Sequence, residues 1–306
     1  MSKTTIIVSV CMITYNHEDF ISEAIEGVLM QKTDFPIELI IGEDCSTDNT
    51  RKIVVEYANK YPNIIRLLLP DNNLGMMKNF VETLDAANGK YIALCEGDDY
   101  WTDPYKLQKQ VDFLEMNEGY AACFHNASLV DANCCLIDVF HKKQIQEKHD
   151  FLSIVQGWFV PTASLVFRSK KSIYQTMNTI LSNYEIISGD RLLLALIGNE
   201  GFIHYFEETM CAYRKHAGGI SSWGNVEKIF KSNIVLFILL KKHFTPKYKK
   251  VLTNQIFRWY GFLAIEQYEK NKYVSYFFSL LKTVTYIRTK NDLKGFVKLY
   301  FLQKLK

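Results

Sequence analysis

Both standard phosphate cradles are missing from this chain of 306 residues. The loop after its first apolar run reads Thr14-Tyr15-Asn16-His17, without the glycines of a dinucleotide fingerprint, and no G-x-x-x-x-G-K-[ST] occurs anywhere. A protein that binds a diphosphate without either can use a hard divalent cation, shared between carboxylate and phosphate oxygens. Zinc-clip spacing is missing as well. The seven cysteines form no C-x-x-C pair, and only Cys134-Cys135 are adjacent. With no signal peptide legible, reduced thiols and a cytoplasmic protein are expected. Proline is scarce, at six residues, and apolar residues make up 48%, which argues for a globular rather than a disordered chain. Long hydrophobic runs are also lacking. The most apolar tail stretches, 234–240 and 273–281, are closed by Lys241 and Lys282, far short of the ~20 residues that span a bilayer.

What charge there is lies unevenly. Residues 225–306 hold 17 Lys and Arg against 4 Asp and Glu, whereas residues 1–224 hold 19 against 29. An acidic body and a basic tail are expected to do different jobs, so the chain divides into a catalytic domain, 1–224, and a basic helical extension, 225–306. Lys and Arg interspersed with Phe, Tyr, Ile and Leu over 228–243 and 270–288 suit an anionic membrane surface. A solvated helical cap is the competing reading. Nucleic acid is not an expected partner, because the body is acidic and no recognition motif accompanies the basic tail.

Along the body, strand and helix patterns alternate four times. Strands are expected at 6–14, 37–41, 64–69 and 91–95, with helices following each. Such alternation predicts a mostly parallel central sheet with right-handed crossovers and flanking helices, a Rossmann-like α/β fold. Further strands are expected at 121–130, 162–168, 202–206 and 210–214. In open parallel sheets ligands bind beyond the carboxyl ends of the strands. The groups falling there are Tyr15-Asn16, Glu43-Asp44, Asp71-Asn72 and the cluster Glu96, Asp98, Asp99.

That cluster stands where an apolar run stops. Two like charges ~4 Å apart repel by roughly 4 kcal/mol at an effective dielectric of ~20, so either water or a cation must relieve the repulsion. A divalent cation, Mn²⁺ or Mg²⁺, is one reading; a solvated acidic loop is the other. Tyr15 beside Asp44 would suit a nucleobase, the ring by stacking and the acid by accepting an N–H. Asp190 opens an apolar helix, where it serves either as a cap or as an exposed acid. His125 and Asn126 on an apolar strand are expected to be core hydrogen bonders. Trp101 and Trp158 line a sugar or acceptor pocket or fill the core.

Four stretches together carry a family resemblance: VSVCMITYN at 8–16, GEDCSTDNT at 42–50, NNLGMMKNF at 72–80 and LCEGDDYW at 94–101. The chain resembles a glycosyltransferase of family 2 with the GT-A fold over residues 6 to about 223. The resemblance implies a bacterial enzyme that moves a sugar from a nucleotide diphosphate sugar to a glycan or lipid-linked acceptor in polysaccharide or lipopolysaccharide synthesis, with inversion. It further implies that Thr14, Tyr15, Asn16, Glu18, Asp44, Lys78 and Asp98 meet the nucleotide, and that Asp98, Asp99 and His216 meet the metal. Glu96, Trp101 and Trp158 would face sugar or acceptor, and Asp190 would be the general base. Four positions depart from the family pattern: Cys45 stands for the usual Gly, Glu96 for Asp, Lys78 for Arg, and Gly189 for the Glu that often precedes the base. A sugar-phosphate nucleotidyltransferase and a non-catalytic nucleotide-sugar binding module are the rival classes. The first should carry a glycine-rich basic loop after strand one, and the second should have lost an acid.

Overall fold

The computed structural model describes residues 5–157, 159–219, 226–244 and 246–286. Trp158 and the 224/225 boundary lie outside the described residues. The chain forms two compact units, one from residues 1–154, 158–183 and 193–222, the other from 155–157, 184–192 and 223–306.

In the first unit the four alternations produce β1 (Val8–Thr14), α1 (Ile21–Leu29), β2 (Ile37–Glu43), α2 (Thr50–Lys60), β3 (Ile65–Leu68), α3 (Met76–Asp85) and β4 (Tyr91–Leu94). β3, β2, β1 and β4 lie side by side and all parallel, with Thr14 level with Glu43 and Cys11 level with Leu94. β1 needs no polar face because helices cover both sides. Val8, Val10 and Met12 are fully buried, each worth about 1.5–3 kcal/mol in burial. Within it the buried Ser9 hydroxyl donates to Glu38 at 2.5 Å and accepts the Gly89 N–H at 2.8 Å.

Beyond β4 the sheet turns mixed. It continues through β5 (Tyr100–Trp101), α4 (Lys106–Met116), β6 (Tyr120–Asp131), β7 (Leu136–Val139), β8 (Lys148–His149), α5 (Phe151–Gln156), β9 (Val166–Arg168), α6 (Lys171–Asn183), α7 (Gly189–Glu200) and β10 (Phe202–Lys215). The order is β3-β2-β1-β4-β9-β6-β10-β5, with β7 on β6 and β8 on β10. β9 runs antiparallel to both β4 and β6, whereas β10 runs parallel to β6. The two strands expected at 202–206 and 210–214 are one strand. Its pairing with β6 shifts register around Thr209, so the exposed Glu207 and Glu208 bulge out without ending it. Asp103-Pro104 begins a turn rather than α4 itself: the Asp103 carboxylate accepts the Tyr105 N–H at 2.7 Å and holds the Lys109 ammonium at 2.7 Å.

The second unit is helical, with α8 (Val226–His243), α9 (Lys249–Glu269) and α10 (Tyr273–Thr285). α9 packs against both others, which is why it buries residues all round, from Leu252 and Gln255 to Leu263 and Gln267. α10 turns Ser279 and Thr283 inward, and Ser279 donates to Gln267 at 2.8 Å. Val274, Phe277, Phe278, Leu281 and Val284 face outward, between 46% and 73% exposed. No helix of the described residues is long and apolar enough to cross a membrane.

Candidate donor and metal site

The carboxylate loop is an extension of the β-ladder. After β4 the chain still pairs with β1, Cys95 N–H with Cys11 O at 3.2 Å and Gly97 N–H with Ile13 O at 2.9 Å. Asp98 therefore arrives beside the residues that follow β1. A side chain at Gly97 would not fit, since its Cβ would lie 2.6 Å from Thr14 Oγ1. β5 then pairs antiparallel with β10, Tyr100 opposite Ala212, which brings the end of β10 back to the same loop.

Three side chains from these three places converge. The Asp98 Oδ2 lies 3.0 Å from His216 Nε2 and 3.9 Å from His17 Nε2. Among the described residues, His17, Asp98 and His216 form the group whose ligand atoms all lie within 4.8 Å of one another. His17 is braced by Thr50, whose Oγ1 accepts its backbone N–H at 2.8 Å, and its Nδ1 sits 3.2 Å from Thr14 Oγ1. Phe20 packs edge-on to His216, with ring centroids 4.8 Å apart. Burial pushes the His17 imidazole below its usual 6.5, against the upward pull of Asp98. Burial works to raise Asp98, but the His216 hydrogen bond and the two imidazoles outweigh it and hold its carboxyl below the usual range. An anionic oxygen and two ring nitrogens at this spacing fit a divalent cation of the kind that accepts imidazole.

Asp99 takes a different path from Asp98. It is buried and accepts the Arg214 backbone N–H at 2.8 Å. Burial, with the charges of Asp98 and Glu96, pushes its carboxyl well above the carboxylate range. Expected as a metal ligand, it lies outside the converging group and anchors the loop to β10. Glu96 is half-buried and is likewise outside the group.

Among the residues expected at the nucleotide, Asp44 follows β2 directly, with its N–H on Thr14 O at 3.0 Å, and its Oδ1 accepts the Leu74 N–H at 2.7 Å. Burial raises its pKa, with the Leu74 and Gly75 N–H groups pulling the other way. Tyr15 presents its ring at 42% exposure. Asn16 and Glu18, expected at the nucleotide, are engaged with the neighbouring loop. Asn16 Oδ1 accepts the Thr47 N–H at 2.8 Å, and the Glu18 carboxylate accepts from Asn49 N at 3.0 Å and Asn49 Nδ2 at 2.7 Å. Both thus set the shape of the loops through these atoms. Thr14 turns its hydroxyl to His17, and Lys78 stands exposed on α3, 3.8 Å from Glu82. Cys45 adopts φ +57°, the left-handed conformation for which Gly is the usual residue.

Trp101 corrects the pocket reading. It is buried in the core, donates its indole N–H to Ala163 O at 2.8 Å, and carries the Lys106 ammonium 4.1 Å above its ring. Asp190 lies in the first turn of α7 in the second unit, next to Arg191, whose guanidinium lies 5.2 Å from the Trp259 ring centroid. His17 was not singled out from sequence. Its signal was position alone, a ring nitrogen donor three residues beyond a strand end that faces the acidic loop.

Residues 9–131 match the family described as glycosyl transferase family 2. An uncharacterized protein of Mycobacterium tuberculosis is 38% identical over 212 residues, 69% of this chain and 60% of that protein, so the chain spans less than two thirds of that relative's length. Among solved structures, S. aureus TarS 1–349 in complex with UDP-GlcNAc aligns over 92% of this chain and 82% of its own, with TM-score 0.66 at 17% identity. The mannosyltransferase PcManGT of Pyrobaculum calidifontis, in complex with GDP-Man and Mn²⁺, aligns over 97% and 82%, with TM-score 0.57 at 15% identity. Residues 9–131 thus carry the sequence match to glycosyl transferase family 2, and the fold of the chain is the GT-A fold of these structures.

Proposed function

We propose that the chain is an inverting, metal-dependent glycosyltransferase that moves a sugar from a nucleotide diphosphate sugar, a uridine donor in the first instance, to a saccharide or lipid-linked acceptor in surface polysaccharide synthesis. The observation that carries this reading is the convergence of His17, Asp98 and His216 beyond the ends of β1, β4 and β10, on the same sheet edge as Asp44 and the open Tyr15 ring. Asp44 is the partner for a nucleobase N–H, and Tyr15 is the surface on which the base stacks. Asp98 and His216 would hold Mn²⁺ or Mg²⁺, which when bound supplies positive charge to a departing diphosphate. Asp190 removes the proton of the attacking acceptor hydroxyl, a role typically worth ~10²–10⁴-fold. Attack opposite the leaving group inverts the anomeric centre.

The rival nucleotidyltransferase reading finds no support at the β1 loop. Residues 15–18 carry no glycine-rich basic turn and are tied side chain to backbone to residues 46–49. The basic second unit, with the exposed apolar side of α10 beside Lys282, would hold the enzyme on an anionic inner membrane face where a lipid-linked acceptor lies. The test is donor binding and hydrolysis with UDP-, GDP- and dTDP-sugars, with and without Mn²⁺. Metal-dependent release of one nucleoside diphosphate is expected, and it should drop at least a hundredfold in Asp190→Asn. Binding without release under any condition would leave a binding module instead, and near wild-type turnover in Asp190→Asn would remove that residue as the base.

A further inference from the structure

We propose that His17 is a third protein ligand of the donor-site cation and sets its metal preference, turning a site that oxygen-loving Mg²⁺ could share into one that favours Mn²⁺ and Co²⁺. The inference rests on reading this loop edge as a nucleotide-sugar site and adds its metal selectivity.

The spacing excludes a hydrogen bond between His17 and Asp98. His17 Nε2 and Asp98 Oδ2 are 3.9 Å apart, too far for a hydrogen bond, whereas His216 on the other side of the same oxygen makes one at 3.0 Å. Ligand atoms ~2.1 Å from one ion stand roughly 3.0–3.4 Å apart, from the octahedral to the tetrahedral angle. Asp98 and His216 already have that spacing, His17 reaches it to Asp98 by moving about half an ångström, and all three ligand atoms lie within 4.8 Å of one another. The ring is aimed for the task. In the tautomer that donates Nδ1–H to Thr14 Oγ1, 3.2 Å away, Nε2 is the unprotonated nitrogen 3.9 Å from Asp98 Oδ2, the arrangement by which an outer hydroxyl fixes a ligating tautomer. Thr14 keeps that position because position 97 is Gly, and the His17 backbone is fixed by Thr50. The two rings stand at 81° to each other with centroids 5.9 Å apart, so neither blocks the other's nitrogen.

The choice of ion follows from the donors. One carboxylate with waters and phosphate oxygens makes a site for Mg²⁺, whereas each imidazole shifts preference toward the later divalent ions. The full chain is titrated with Mn²⁺ by electron paramagnetic resonance, without nucleotide and then with UDP, and Mg²⁺ is added as competitor. The wild type should prefer Mn²⁺ at least tenfold. His17→Gln should lower Mn²⁺ affinity 10- to 100-fold, leave Mg²⁺ within about twofold and remove one of two imidazole ¹⁴N couplings from the Mn²⁺ echo-modulation spectrum. Thr14→Val should weaken Mn²⁺ less and keep both couplings. One ¹⁴N coupling in the wild type, or unchanged Mn²⁺ affinity in a His17→Gln or His17→Ala variant with native circular dichroism, would overturn the proposal. The nucleotide-free titration keeps it separable from the transferase reading: a wild type that binds Mn²⁺ through two imidazoles but no nucleotide sugar would refute the latter alone.

Discussion

Arg214 shows how much of the site depends on a residue that touches neither base nor metal. Its N–H holds Asp99, its Nε donates to Asp98 O at 2.9 Å, and its Nη1 donates to Ala132 O at 3.3 Å and Cys134 Sγ at 3.1 Å. Its Nη2 pairs with Glu23 of α1, and its guanidinium lies 4.7 Å from the Phe20 ring centroid. A lysine keeps the charge but not the fork, so Arg214→Lys should cost about 2 kcal/mol in urea unfolding and weaken UDP binding about tenfold by calorimetry. Equal affinity would mean that the loop holds its shape without the guanidinium. Asp44→Asn separates base from metal. The amide can still accept the Leu74 N–H but presents a donor where the nucleobase needs an acceptor, so UDP affinity should fall at least tenfold while Mn²⁺ affinity without nucleotide stays the same. Of the converging residues, Asp98 and His216 stand out in the sequence because an acid and a histidine at strand ends are anomalous there. His17 and Arg214 do not, since what they do depends on the meeting of residues eighty or more positions apart in sequence.

At the scale of elements, what the sequence resolves depends on how local the cause is. β1 to β4 are visible as short apolar runs, interrupted by charge only at Glu38 in β2 and Arg66 in β3 and each closed by polar residues, and the structure keeps them within a few residues. The insertion of β9 between β4 and β6 is invisible, because it is decided by long-range pairing that leaves no trace in Val166–Arg168 itself. The join of 202–206 to 210–214 is hidden for the opposite reason, since two exposed acids read as a break when they are a bulge. α10 is the element whose outward face most needs a use. A soluble surface helix directs apolar side chains inward, yet here Ser279 and Thr283 point in and Phe277 and Phe278 point out. If that face meets an anionic bilayer, wild-type chain should float with phosphatidylglycerol-containing vesicles and be released by salt. Phe277→Glu/Phe278→Glu should abolish flotation and leave hydrolysis of the soluble donor within twofold. Flotation that survives the double substitution would assign the contact to another part of the tail.

Across the first unit as a whole, buried titratable groups set a pH window for the fold. Burial lowers the pKa of His17, His125, His141, His149 and His204, well below the usual imidazole range in His125, which is fully buried with Nδ1 on the Asn126 carbonyl at 2.7 Å. The unfolded chain takes up these protons as pH falls through about 6.5 while the folded chain resists. Stability present above 6.5 is therefore lost on the way down. Asp44 and Asp99, whose folded pKa values are raised, oppose this, because the folded form takes their protons first. On the alkaline side, Lys106 is buried beside Trp101 with its ammonium on Gln110 Oε1 at 2.8 Å, and burial pushes it down to about 8. As pH rises from about 8 toward 10.5 the unfolded chain holds that proton longer, so stability gains. Cys11, Cys95, Cys123 and Cys211 are buried and raised, and above about 9 they reverse the gain because only the unfolded thiols ionise. The urea midpoint should accordingly peak between about pH 7 and 9. His125→Gln should flatten the acid side, and Lys106→Met should remove the rise above pH 8. A His125→Gln curve that falls as steeply as wild type between pH 7 and 5.5 would show that its burial does not drive acid unfolding and that the carboxylates do.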